Sequence, residues 1–65
     1  MTINDAFLMC GRDQILMILP TRPCGPTLRG HWHDEYMQSF RRKHGRERCE
    51  LVSECESKME VKLYE

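Results

Sequence analysis

No unbroken apolar run in the chain exceeds five residues. A membrane-spanning helix needs about 20, so a membrane partner is not expected. The basic start of a secretory leader is also missing, because Asn4 and Asp5 stand where it would lie. Opening on Met1, the chain is expected to be a complete small cytoplasmic protein. Its four cysteines, Cys10, Cys24, Cys49 and Cys55, are then thiols by default. A Cys49–Cys55 bridge would need an intervening turn to bring the two together. Net charge is absent too, with ten Lys and Arg against ten Asp and Glu, so overall electrostatics name no partner. Internal repeats and low-complexity segments are lacking.

Other absences concern chemistry. There is no nucleophile elbow, phosphate-cradling glycine loop or paired-carboxylate motif. There is no Cys-x-x-Cys pair and no His pair three to five residues apart. With 65 residues the chain has room for one domain, 1–65, and a small core of marginal stability. A deep cleft between subdomains does not fit. A non-enzymatic binding or regulatory role is expected, with no cofactor.

What is present falls into segments. Thr2 and Asp5 have capping-box spacing, and Ile3, Ala6, Phe7 and Cys10 follow at helical intervals. Gly11 stands where a helix C′ residue would. A helix over 3–10 is expected. The run ILMIL, bounded by Asp13 and Pro20, reads as a buried strand. A continuous helix over 3–19 competes, but it must absorb Gly11 at about 1 kcal/mol. Residues 20–30 hold three prolines and two glycines and read as an internal loop.

The stretch HWHDEYMQSFRRKHGRER, residues 31–48, is the richest. Trp32, Tyr36, Met37 and Phe40 share a helical stripe, and Tyr36, Met37 and Phe40 are expected to face the core. Asp34 and Glu35 suit a helix start, where acids meet the positive end of the dipole. Gly45 is the stop. A helix over 33–44 is expected. The tail alternates apolar and charged residues, which predicts strands over 48–53 and 58–64 joined by a turn at SECES. A helix over 47–57 followed by one strand is the competitor.

The fold expected is a small α+β domain in the order helix-strand-loop-helix-strand-strand, an antiparallel sheet with helices packed on one face. That order is close to a winged helix, except that prolines occupy the place of its further helix. Order of this kind does not fix function.

Charge is unevenly spread. Residues 41–48 carry five basic residues and one acid, while 49–65 carry five glutamates and two lysines. The candidate binding residues are therefore Arg41, Arg42, Lys43, Arg46 and Arg48, with Glu54, Glu56 and Glu60 as an acidic counterpart. Cations in a last helical turn also meet its negative end, at roughly 0.3–1 kcal/mol each. The expected role is an inhibitor or adaptor that binds a larger protein, a size typical of phage or mobile-element products. The basic helix end and the terminal strand would make the contact. A nucleic-acid-binding regulator using residues 41–48 is the alternative, since clustered cations release condensed counterions from phosphates. A small zinc-binding module is the second alternative. His33 and His44, eleven positions apart on a helix, would be about 16 Å apart and cannot share a metal. Cys24, His31 and His33 could. A homodimer through the C-terminal strand is a further expectation.

Overall fold

The computed structural model describes residues 1–21 and 25–64. Its elements are α1 (Ile3–Met9), β1 (Ile15–Leu19), β2 (Leu28–Gly30), α2 (Glu35–His44), β3 (Cys49–Glu54) and β4 (Lys58–Leu63). The protein is α+β, with both helices packed on one face of a four-stranded sheet.

The start of α1 is fixed by its capping box. The Asp5 amide donates to Thr2 Oγ1 at 3.3 Å, and the Thr2 amide donates to Asp5 Oδ2 at 3.0 Å. Ile3, Ala6 and Phe7 bury one stripe of the helix. Cys10 ends it by turning extended, at φ −70° and ψ 130°. Gly11 therefore is not a left-handed cap, and no described residue has positive φ.

β1 pairs antiparallel with β2 and parallel with β4, and β4 pairs antiparallel with β3. The order is β2-β1-β4-β3. The outer pairs match the antiparallel expectation, and the central pair departs from it. The cause is α2. It crosses back over the sheet, so β3 starts level with the start of β2 and β4 must run with β1.

Residues 20–30 were expected to be all loop, but Leu28–Gly30 is a strand. A three-residue strand beside prolines has too little periodicity to be read locally, and β1 supplies its pairing. In the same segment a winged helix would have a helix. Here α2 also lies flat, with Met37 fully buried and Phe40 packed against the core.

The core joins α1 (Ile3, Ala6, Phe7) and Cys10 to Leu16, Ile18, Met37, Cys49, Met59 and Val61. Each large apolar side chain so buried contributes about 1.5–3 kcal/mol. No polar or charged residue is buried among those described. Tyr36 was expected in this core. Instead it is 52% exposed, and its hydroxyl donates to the Arg29 carbonyl at 2.8 Å, clamping α2 to β2. A Cβ at Gly30 would overlap the Tyr36 hydroxyl and displace this clamp.

β3 has a bulge between Leu51 and Ser53. Leu51 pairs with Val61 and Ser53 with Glu60, so the strand changes phase at Val52. The expected single-face alternation of Cys49, Leu51, Ser53 and Cys55 is broken at that point. β4, the last strand, lies between β1 and β3 and has no open edge. Edge pairing through the C-terminal strand is therefore removed. The edges belong to β2 and β3.

Two outcomes are expected. Gly45 sits at φ −58° and ψ −27°, where alanine would ordinarily be the better residue. A Cβ there would lie 2.5 Å from Asn4 Oδ1 and 2.6 Å from the Arg41 carbonyl oxygen. Gly45→Ala should therefore destabilise the fold by about 1–3 kcal/mol, read as a lower urea midpoint. An unchanged or raised midpoint would show that the helices can part at no cost. The Asp5 carboxyl is held below the ordinary aspartate range, first by the Thr2 amide and then by the Thr2 hydroxyl. Its folded value is depressed, so the stability it contributes is present above the ordinary value and lost as pH falls through the folded one. An NMR titration should show Asp5 and the Thr2 amide shifting together, below the usual aspartate range.

Candidate functional site: a basic groove between the helices

The last turn of α2 carries Arg41, Arg42, Lys43 and His44. Arg41, Arg42 and Lys43 face the negative end of the helix. The start of α1 docks beside them, where the Asn4 amide donates to the Gly45 carbonyl and the Ile3 amide to the Glu47 carbonyl, both at 2.9 Å. Between the two helix ends lies a shallow groove of about 550 Å³. Asn4, Gln38, Arg41, Arg42, Lys43, Arg46 and one carboxylate, Glu47, line it.

The five basic candidates are not equivalent. Arg41 is half-buried: its Nε donates to Asn4 Oδ1 at 3.1 Å and its Nη1 to Gln38 Oε1 at 3.5 Å. Its guanidinium also sits 5.9 Å from the centre of the Phe7 ring. It ties the helices together and lines the groove. Arg42 is exposed and meets Glu35 at 3.4 Å, a surface pair worth about 0–1 kcal/mol. Lys43 and Arg46 are exposed, with no ion-pair partner among the described residues. Arg48 is elsewhere. It stacks 6.0 Å from the Tyr64 ring, whose hydroxyl donates to Glu50 at 3.2 Å. The structure thus gathers Arg41, Arg42, Lys43 and Arg46 and leaves Arg48 outside.

Asn4 and Gln38 were not foreseen. Gln38 is three residues before Arg41 on one helix, a neighbour that helical spacing reveals. Asn4 is distant in sequence and carries no local signal. Together the lining offers forked guanidinium donors, an ammonium and amides. That set suits carboxylates or phosphates, which guanidinium groups bind bidentately.

The acidic counterpart does not gather. Glu60 pairs with Lys58 at 2.8 Å on the open face of the sheet. Glu54 pairs in register with the buried Met59, on the helix-covered side. Glu56 is in the β3–β4 turn.

For zinc, His31 and His33 stack at 5.4 Å between ring centres, and His33 also meets the Trp32 ring edge-on. His33 precedes α2, which begins two residues later than expected. Asp34 Oδ2 instead accepts the His31 amide at 2.9 Å. Cys24 lies outside the described residues. Among those described, no group of three or more His, Cys, Asp or Glu converges as a metal site. No described helix is long and apolar enough to cross a membrane.

No family model, curated protein or solved structure matches the chain.

Among the described residues three thiols are free: Cys10 and Cys49 buried, Cys55 exposed in the β3–β4 turn. Burial pushes Cys10 and Cys49 up. The Ser57 hydroxyl, then the Ser57 and Lys58 amides, pull Cys55 down. Because the thiolate is the reacting form, iodoacetamide should label Cys55 well before Cys10 or Cys49 in the folded protein. Ser57→Ala should move the Cys55 pH–rate profile upward. Peptide mass mapping over pH measures both, and equal labelling of Cys10 would contradict the arrangement.

Proposed function

We propose that this chain is a non-enzymatic regulator, of inhibitor or adaptor type, that binds an acidic surface on a larger cytoplasmic protein. Contact is through Arg42, Lys43 and Arg46, with Arg41 holding the groove in shape. The observation that carries the reading is the gathering of these side chains in one groove on a molecule of zero net charge. Two carboxylates stand beside it: Glu35 pairs with Arg42 and Glu47 with His44. They would repel a continuous phosphate backbone. A protein surface of mixed charge tolerates them, and complementary rims of this kind steer association.

Nucleic-acid binding is the second reading, supported by the same cluster and by the side-chain amide of Asn4. The two are separated by one pair of measurements. Affinity purification from the source cell should recover a partner that the Lys43→Glu, Arg46→Glu double variant loses by at least roughly tenfold, the size expected for disrupted rim charges. Fluorescence anisotropy with duplex DNA and single-stranded RNA at low salt should show no binding. Steeply salt-dependent DNA or RNA binding, abolished by the same double variant, would transfer the assignment to nucleic acid.

A further inference from the structure

β1 reads ILMIL, apolar at every position. Its alternation sends Leu16 and Ile18 under the helices and Ile15, Met17 and Leu19 to the opposite face. A strand apolar on both sides has the pattern of one buried on both sides, and parallel pairing belongs mainly to sheets covered on both faces. Here the central pair is parallel and the helices cover one face only.

The register fixes what surrounds the open apolar column. Met17 pairs with Arg29 on one flank and Glu60 on the other, so one row reads Arg29, Met17, Glu60. Ile15 pairs with Lys58, whose ammonium meets Glu60 of the same chain at 2.8 Å. In the first row the cation is on the β2 flank and the anion on the β4 flank. The face is complementary to itself under one operation. A two-fold axis along β1 exchanges the flanks and keeps the rows level. Arg29 then meets Glu60 of a second copy, and the apolar columns meet each other.

We propose that this open face is the interface of a homodimer, sheet against sheet, about a two-fold axis along β1. A standard interface takes roughly 800 Å² from each partner, about one-sixth of the 4629 Å² that the molecule exposes. One broad side of a body measuring 28 × 23 × 20 Å provides that share. The β3 edge is the less suitable place for a second copy. Its bulge breaks the ladder, and antiparallel self-pairing about Val52 would set Glu50 against Glu54. The basic groove lies on the helix side, so the dimer leaves two grooves exposed. The proposal stands independently of what they bind.

Sedimentation of the full chain from micromolar to millimolar concentration tests it. The mass should move from 7.8 kDa towards twice that value. Met17→Lys and Arg29→Glu should each weaken the dimer by roughly 100-fold or more, because unlike contacts are replaced by buried or like charges. Circular dichroism should stay unchanged, since both side chains lie outside the core. Chains carrying Arg29→Glu and chains carrying Glu60→Arg should each be monomeric alone and should pair when mixed, because positions 29 and 60 then meet as opposite charges on both flanks. A wild-type chain that stays monomeric to millimolar concentration overturns the proposal. So does a dimer indifferent to Met17→Lys, or a mixture that fails to pair.

Discussion

The first turn of α1 is held by the backbone that follows α2. The Ile3 and Asn4 amides belong to the donors that a helix start cannot satisfy within itself. Here they donate to the Glu47 and Gly45 carbonyls. The Cys49 amide donates to Met1, and Thr2 bridges Arg48, so the chain's first residues cover the start of β3. Gly45 makes the approach possible because a Cβ would occupy the space of Asn4. From this junction α1 takes its direction, laying Ile3, Ala6, Phe7 and Cys10 across the sheet. The same junction brings Asn4 to Arg41 and so creates the groove.

That geometry divides the basic run into separate tasks. Arg41 is an internal tie between the helices. His44 packs on Phe40 and pairs with Glu47. Arg48 belongs to the β3–β4 end, over Tyr64. Arg42, Lys43 and Arg46 are left to meet a ligand from the groove rim. The methionines divide similarly, with Met37 and Met59 fully buried and Met17 on the open sheet face. A flexible thioether fills irregular gaps in a small core and also suits an interface.

Much of the fold was legible locally. The capping box marked α1, a helical stripe marked α2, and period-two alternation marked β3 and β4, each within a residue or two of its observed bounds. β2 was not legible, because three residues between prolines and a histidine carry no period. Tyr36 was misplaced because it neighbours the core stripe, while its hydroxyl found a carbonyl on a strand that the local pattern did not show. The bulge at Val52 was likewise hidden, since strict alternation hides an inserted residue. At the candidate site the cations were visible as a cluster, but not the burial of Arg41 or the departure of Arg48. Both depend on partners distant in the chain.

By itself the sequence determined the kinds of element, their approximate ends, the apolar residues available for a core and the one concentration of positive charge. These are local properties, set by side-chain periodicity, caps and turn residues within a few positions of one another. The tertiary structure alone decided that β4 lies beside β1, that the pair runs parallel, which sheet face stays open and which cations line the groove. Those outcomes are set by contacts between segments tens of residues apart, such as Asn4 with Arg41 and Leu16 with Met59. Local periodicity contains no term for such contacts, because chain closure and packing choose among arrangements that leave every local pattern equally satisfied.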